Sequence, residues 1–148
     1  MVWLPLLKAK PSSAVTIPFF FVGGCNRGIV KGSRVTKLDS ALLHLHLKNS
    51  QPLIIPGTIN AYSAKLAERA GHNAIYLSGS GVAAASYGLP DLGVTSMDDV
   101  LIDVKRITNA TSLPLLVDID TGWGESDQIA KTITEMGMAG CAAVHIED

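Results

Sequence analysis

The sequence predicts an α/β fold of the (β/α)8 TIM-barrel type, of which these residues cover about the first half, strands 1 to 4. From residue 52 onward, short apolar segments alternate with amphipathic ones, a rhythm typical of parallel strands connected by helices. Polar residues end several apolar segments, which is the barrel arrangement. The Gly-x-Gly-x-x-Gly motif of a dinucleotide-binding sheet does not follow the first strand. A complete barrel needs about 250 residues, so a chain of 148 residues fits roughly half of one.

Four strands and three helices are expected in this region. The expected strands are residues 53–58, 74–79, 113–120 and 142–148, and the expected helices are residues 61–70, about 96–109 and about 126–136. A loop rich in glycine and alanine is expected after residue 79. The helix at 96–109 has the clearest pattern, because Asp98 and Asp99 lie in its first turn and Lys105 and Arg106 lie near its end, which suits the helix dipole.

The composition is that of one globular domain. Hydrophobic residues make up 47% of the chain and charged residues 17%. A formal net charge of −1 and a pI near 6.4, with scattered Lys and Arg, indicate no nucleic-acid partner. Cys25 and Cys141 lie far apart in the sequence, so a disulfide framework and a cysteine zinc site are disfavoured, and a reducing, cytoplasmic location is expected.

Residues 1–50 differ from the rest and are predicted to be a poorly ordered leader before the barrel half at 51–148. Residues 14–22 are apolar but too few to cross a bilayer, so no membrane partner is expected. The Val-Gly-Gly-Cys sequence ending at Cys25 resembles a lipoprotein cleavage box, but Pro18 interrupts the apolar run and a cytoplasmic enzyme is favoured. His44 and His46 alternate with leucines and, without a third ligand nearby, are expected in a short helix or strand rather than at a metal.

Acidic residues end the last two expected strands. Asp118 and Asp120 would share one face of their strand, and Glu147 would share the polar face of the next strand with His145. Three carboxylates at neighbouring strand ends would repel one another unless a hard cation lay between them, and such oxygen ligands suit Mg²⁺. The pattern therefore favours a divalent-metal site. The alternative, that each acid only caps the following helix, stays open for any one of them.

Five motifs occur in a specific order between residues 52 and 148. They are Pro-Gly-Thr-Ile-Asn-Ala from residue 56, Ile-Tyr-Leu-Ser-Gly-Ser-Gly-Val-Ala-Ala from residue 75, Gly-Leu-Pro-Asp-Leu-Gly from residue 88, Leu-Val-Asp-Ile-Asp-Thr-Gly-Trp-Gly from residue 116 and His-Ile-Glu-Asp from residue 145. Together they resemble the 2-methylisocitrate lyase family, within the isocitrate lyase and phosphoenolpyruvate mutase superfamily. The leader does not share this resemblance.

The resemblance implies a Mg²⁺-dependent carbon–carbon lyase that cleaves the small molecule 2-methylisocitrate to pyruvate and succinate, in the methylcitrate cycle of propionate catabolism. It also implies a cytoplasmic homotetramer. The implied metal ligands are Asp118, Asp120 and Glu147, and the implied substrate-binding residues are Ser78, Gly79, Ser80, Asp91 and Asp118.

Two of the implied site residues have plainer alternatives. Tyr76 is a candidate catalytic base or orienting group, and an inward-pointing barrel aromatic is an equal alternative. Asp91 would face the site from a loop, but an aspartate directly after Pro90 could also serve only to form a turn.

Two departures from the family pattern affect the expected activity. Ser80 stands where the family usually has glycine, which restricts the backbone if that position needs a positive φ. The family's Cys-Gly-His loop, whose cysteine is thought to protonate the leaving succinate carbanion, has no match here, so the chain as given is expected to be an inactive fragment. A phosphoenolpyruvate mutase, an oxaloacetate decarboxylase and a non-catalytic fragment remain alternatives.

Overall fold

The computed structural model describes residues 15–18, 36–49 and 52–147. The elements are β1 (Val15–Pro18), α1 (Thr36–Asn49), α2 (Ala61–Arg69), β2 (Ile75–Leu77), α3 (Gly79–Val82), a π-helical turn (Ala83–Tyr87), α4 (Met97–Ala110), β3 (Leu115–Asp118), α5 (Ser126–Met138) and β4 (Ala143–Ile146). Within the described ranges, no helix is both long and apolar enough to cross a membrane.

One four-stranded sheet organises these elements, in the order β1-β4-β3-β2. Strands β2, β3 and β4 are parallel, and β1 pairs with the outer side of β4 in the antiparallel direction. Helices α4 and α5 connect successive parallel strands, so the carboxyl ends of β2, β3 and β4 meet at the same edge. The predicted parallel α/β class is confirmed.

The two faces of the sheet differ as the alternation predicts. Ile75, Leu77, Val117 and Val144 are fully buried in the main core, which α2, α4 and α5 complete. The opposite face carries the partly buried Tyr76, Asp118 and His145, which are the next residues along the same strands. One face therefore stabilises the fold, and the other presents polar groups.

Helix α1 packs on the sheet near the start of β4. The Ser40 hydroxyl donates to the Ala142 carbonyl at 3.0 Å, and Leu43 is buried in a second, smaller cluster with Ala74, Ala142 and Ala143. His44 and His46 lie in this helix, as expected. The leader at 1–50 and its boundary stay predictions, since most of that segment, Cys25 included, lies outside the described residues.

The segment predicted as a first strand, residues 53–58, makes only one isolated bridge, between Gly57 and Tyr76. The Thr58 N–H donates to the Tyr76 carbonyl at 2.7 Å, and the Tyr76 N–H donates to the Pro56 carbonyl at 3.0 Å. Prolines at 52 and 56 lack the N–H that a longer ladder needs, so the chain runs alongside β2 without forming a regular strand.

The loop predicted after residue 79 begins as helix. Helix α3 continues directly into the π-helical turn, which ends at Gly88 in the left-handed region at φ 65°. Small residues allow this close packing, because a Cβ on Gly81 would lie 2.9 Å from a methyl group of Ile59. The turn is also tied to α4, since the Ser86 hydroxyl donates to the buried Asp103.

A capping box begins α4. The Ser96 hydroxyl accepts from the Asp99 N–H at 3.3 Å, and the Asp99 carboxylate accepts from the Ser96 N–H at 2.8 Å. These bonds satisfy donors that the first turn of a helix leaves unpaired.

Ser96→Ala is expected to lower the free energy of unfolding by about 1 kcal/mol, because it removes the side-chain cap. Urea unfolding followed by circular dichroism measures the change. Ser126→Ala is the matched control, since Ser126 is the exposed first residue of α5, whose cap holds no side-chain hydrogen bond; we expect a change within about 0.5 kcal/mol. Equal losses in both variants would contradict the prediction.

The same cap predicts a pH dependence. Hydrogen bonds from the Ser96 hydroxyl and N–H lower the pKa of Asp99. A carboxyl with a lowered folded-state pKa contributes stability above its unfolded pKa, near ~3.9, and loses it as pH falls through the folded value. The stability difference between the chain and its Ser96→Ala variant should therefore shrink as the pH falls from about 4 through the lower pKa of the folded state. A constant difference across this interval would argue against the cap.

Cys141 provides a probe of the core. The side chain is fully buried, and this burial raises the pKa of its thiol. In a Cys25→Ser background, we expect Cys141 to react with a disulfide reagent only as fast as the chain unfolds. Reaction in native buffer at the rate seen in urea would show that the β3–β4 region is open.

Candidate metal and substrate site

A cavity of about 110 Å³ lies at the carboxyl edge of the parallel strands. Its walls come from the start of α3, from the segment between the π-helical turn and α4, and from the residues after β3 and β4. The lining residues are Gly79, Ser80, Ala83, Asp91, Gly93, Thr95, Asp118, Asp120, Trp123 and Glu147. Six of the eight residues singled out from the sequence therefore meet here, while Tyr76 and Ser78 lie next to this cavity without lining it.

A larger depression, about 410 Å³, lies at the opposite end of the strands, between the carboxyl ends of α4 and α5. Lys105, Thr108 and Asn109 line part of it. None of the residues with predicted site roles is among its lining residues, so the smaller cavity is the candidate site.

Asp118, the last residue of β3, is held by main-chain donors. One carboxylate oxygen, Oδ2, accepts from the Gly79 N–H at 3.3 Å, and the other, Oδ1, accepts from the Asp120 N–H at 3.0 Å. Each oxygen keeps a further acceptor position. The carboxylate is therefore oriented between α3 and the turn after β3.

The turn after β3 brings Asp120 beside Glu147. Asp120 has left-handed backbone geometry at φ 51°, which aspartate tolerates better than most residues. The Glu147 N–H donates to the Asp120 carbonyl at 2.8 Å. The prediction that residues 113–120 form one strand is wrong at its end, because β3 stops at Asp118 and the turn, not strand alternation, places Asp120 at the cavity.

The donor set of this cavity suits a hard cation. Asp118, Asp120 and Glu147 all line it and offer carboxylate oxygens. Among the described residues, no group of three acidic, histidine or cysteine side chains is arranged so that it could hold a metal ion without further ligands. Mg²⁺ typically keeps several waters and uses only one or two protein carboxylates together with substrate oxygens, so an open arrangement of acids fits it better than a closed cage would.

Tyr76 lies among charged and polar groups on the same face. Its hydroxyl is 3.2 Å from Nδ1 of His145, and the two rings are tilted by 53°. Burial raises the pKa of Tyr76, and the charge of Asp118, a hydrogen bond to that carboxylate and the charge of Glu147 raise it further. In this geometry the phenol is a hydrogen-bond donor.

Ser78 and Ser80 form a hydroxyl pair beside the cavity. Their Oγ atoms are 2.9 Å apart. Ser80 is not among the described residues with positive φ, so its side chain introduces no left-handed strain. Since one hydroxyl must donate to the other, the proton of the acceptor hydroxyl is left for another partner.

Trp123 and His145 were given no role from the sequence. The Trp123 indole N–H donates to the Thr95 carbonyl at 2.9 Å, which ties the segment carrying Asp91 to the turn after β3. Trp123 has φ 61°, an uncommon value for a bulky residue. For Trp123, the available sequence signal was its position in the Thr-Gly-Trp-Gly motif. For His145, the signal was its position on the polar side of the last strand.

The chain is similar to proteins of known family. A family model described as phosphoenolpyruvate phosphomutase matches residues 42–148. The 2-methylisocitrate lyase of Shewanella oneidensis is 68% identical over 102 residues, which cover 69% of this chain and 35% of that protein. The 2-methylisocitrate lyase of Vibrio cholerae is 58% identical over 119 residues, which cover 80% of this chain and 39% of that protein.

Solved structures give the same grouping. A 2,3-dimethylmalate lyase matches at 33% identity with a TM-score of 0.64, covering 70% of this chain and 37% of that one. A phosphoenolpyruvate phosphomutase from Streptomyces platensis subsp. rosaceus matches at 32% identity with a TM-score of 0.65, covering 71% of this chain and 36% of that one.

The matched part of the chain spans between 35% and 39% of these relatives' length. The resemblance found in the sequence motifs is confirmed, as is the barrel-type α/β class. Because the family model covers the chain from residue 42 to residue 148, the chain belongs to the phosphoenolpyruvate phosphomutase family.

Proposed function

We propose that the chain carries the metal- and carboxylate-binding part of a Mg²⁺-dependent lyase that cleaves 2-methylisocitrate to pyruvate and succinate. The observation that carries this proposal is the convergence of Asp118, Asp120 and Glu147 on one cavity beside Gly79 and Ser80. Identities of 68% and 58% to proteins named 2-methylisocitrate lyase support the choice of substrate.

Asp118, Asp120 and Glu147 would hold Mg²⁺, partly through water. When bound, the ion supplies Lewis-acid stabilisation of the negative charge that develops on the substrate hydroxyl oxygen before the carbon–carbon bond breaks. The main-chain bonds to Asp118 keep its carboxylate oriented without a metal, so little reorganisation is needed on binding.

The serine pair would bind the carboxylate of the pyruvyl part of the substrate. Of the two hydroxyls of Ser78 and Ser80, one has its proton free for an anionic oxygen. Asp91 lines the same cavity and can accept a hydrogen bond from a substrate hydroxyl. Tyr76, adjacent to Asp118, would orient that carboxylate rather than act as a base.

The reactions of two structurally similar proteins are the second candidates, because those proteins share the fold. Proteins named 2,3-dimethylmalate lyase and phosphoenolpyruvate phosphomutase share the fold at 33% and 32% identity. The higher identity to the 2-methylisocitrate lyases favours the first proposal. On the family resemblance alone, we further propose a cytoplasmic, homotetrameric enzyme of propionate catabolism.

Mg²⁺ is expected to raise the melting temperature of the chain, because an ion that binds the folded chain and not the unfolded one stabilises the folded chain. Asp118→Asn and Asp120→Asn should each abolish most of this rise, as measured by differential scanning calorimetry with and without the ion. Asp127→Asn, in the exposed first turn of α5, is the matched control and should respond like the parent chain. An equal response from all variants, or none from the parent chain, would refute the metal assignment.

The protein as its gene encodes it should release pyruvate from 2-methylisocitrate only when Mg²⁺ is present. Asp118→Asn should lower its kcat/KM by about 100-fold or more. Ser80→Gly should lower kcat/KM less than Asp118→Asn does, because it removes one hydroxyl of the serine pair and leaves that of Ser78 to bind the substrate carboxylate. A coupled spectrophotometric assay measures both. Faster turnover of 2,3-dimethylmalate or phosphoenolpyruvate than of 2-methylisocitrate would favour the second candidates.

A further inference from the structure

Residues 90–95, which we call the Asp91 segment, connect the π-helical turn to α4. Residues 90–94 are all exposed and belong to no helix or strand. The segment nevertheless contributes Asp91, Gly93 and Thr95 to the wall of the candidate cavity. Exposed connections open more easily than a packed core does, so the place of the Asp91 carboxylate depends on what holds this segment down.

One hydrogen bond joins the Asp91 segment to another part of the described chain. The Trp123 indole N–H donates to the Thr95 carbonyl at 2.9 Å. The other hydrogen bond of the segment, from the Leu92 N–H to the Pro90 carbonyl, stays within it. Among the described residues, the bond from Trp123 is therefore the one hydrogen bond that ties the segment down between the π-helical turn and α4.

Trp123 lies on the well-supported side of this bond. It belongs to the turn after β3, where the Gly122 N–H donates to the Ile119 carbonyl at 2.8 Å. The hydroxyl of the buried Thr132 in α5 donates to the Gly122 carbonyl at 3.1 Å, and the indole packs against the main core. Losing the bond would therefore release the exposed segment and not the turn.

The backbone of Trp123 gives a second, independent indication. Its φ of 61° lies in the left-handed region, which bulky residues rarely adopt. Such geometry persists only where the surrounding structure imposes it, and it clusters at functional sites. The residue with this geometry is the one whose side chain reaches the Asp91 segment.

We propose that Trp123 is a positioning residue: its indole N–H holds the Asp91 segment over the cavity and so places the Asp91 carboxylate for the substrate hydroxyl. The inference rests on the proposed function only for the identity of the ligand. The metal ligands of that function, Asp118, Asp120 and Glu147, come from β3 and from the residues after β3 and β4, on the supported side of the bond. Releasing the segment should therefore weaken substrate binding and spare Mg²⁺ binding.

The first measurement is the opening of the Asp91 segment, read as the rate of chymotrypsin cleavage after the exposed Leu92 and located by mass spectrometry. This rate follows the population of the open segment. Trp123→Phe keeps a ring and removes the donor, so cleavage should become about 3- to 10-fold faster, the ratio that one net hydrogen bond represents. Tyr62→Phe, which removes the polar hydrogen of an exposed ring on α2, is the matched control and should leave the rate unchanged.

A second variant separates the hydrogen bond from the shape of the ring. Benzothienylalanine at position 123 has sulfur in place of the indole N–H and nearly the same size, so it should speed cleavage after Leu92 as Trp123→Phe does. Cleavage within β3 should not change in either variant. An unchanged rate after Leu92 with this analogue, or an equal rise within β3, overturns the proposal.

The second measurement is ligand affinity by isothermal titration calorimetry. Trp123→Phe should weaken the binding of 2-methylisocitrate in the presence of Mg²⁺ by about 2- to 5-fold, and that of Mg²⁺ alone by less than about 1.5-fold. In an Asp91→Ala background, Trp123→Phe should cause little further loss of 2-methylisocitrate affinity, because its effect passes through Asp91. Full additivity of the two substitutions, or an equal loss of Mg²⁺ affinity, overturns the positioning role.

The two measurements separate the two claims. A parent chain that does not bind 2-methylisocitrate in the presence of Mg²⁺ overturns the proposed function, while the cleavage rates decide whether Trp123 holds the Asp91 segment in that case as well. A parent chain that binds both, with cleavage after Leu92 unchanged in Trp123→Phe, overturns only the role of Trp123.

Discussion

The main-chain pairing of β3 with β4 continues past the last regular residues of both strands, and the candidate site depends on this continuation. The Ile119 N–H donates to the His145 carbonyl at 2.9 Å, and the Glu147 N–H donates to the Asp120 carbonyl. Each such bond contributes a net ~0.5–1.5 kcal/mol and does not depend on the side chains. The backbone therefore brings the residues that carry these carboxylates to one cavity, whatever their side chains contribute to stability.

The strands β2, β3 and β4 and the helices α2, α4 and α5 follow from local patterns in the sequence. Buried parallel strands appear as short apolar runs, and Ser96 and Asp99 form the capping box at which α4 begins. The segment at 53–58 is apolar too, but Pro56 within it and Pro52 before it lack the N–H that a strand ladder needs, and hydrophobicity alone does not reveal this. The helical continuation after β2 depends instead on close contacts such as Gly81 against Ile59, which join residues far apart in sequence.

The candidate site was partly predictable, because local sequence patterns locate the strands whose ends form it. Asp118 and Glu147 end apolar strands, so the shared edge of a parallel sheet brings them near each other. Asp120 reaches the cavity through a left-handed turn rather than through strand alternation. The link of Trp123 to Thr95 and the contact of His145 with Tyr76 depend on sheet register and loop path, which no local pattern encodes.

The hydrogen bond between Trp123 and Thr95 depends on the side chain at position 123 but only on the main chain at position 95. Trp123 supplies an indole N–H, a donor at the end of a long side chain that few other residues offer, and it does so from a backbone geometry that costs of order 1–3 kcal/mol for a non-glycine residue. Thr95 supplies only its carbonyl, which nearly every amino acid would offer there. Position 95 is consequently free to vary in shape and polarity at the rim of the cavity, and a lineage of such enzymes could alter what it admits at that position without releasing the loop.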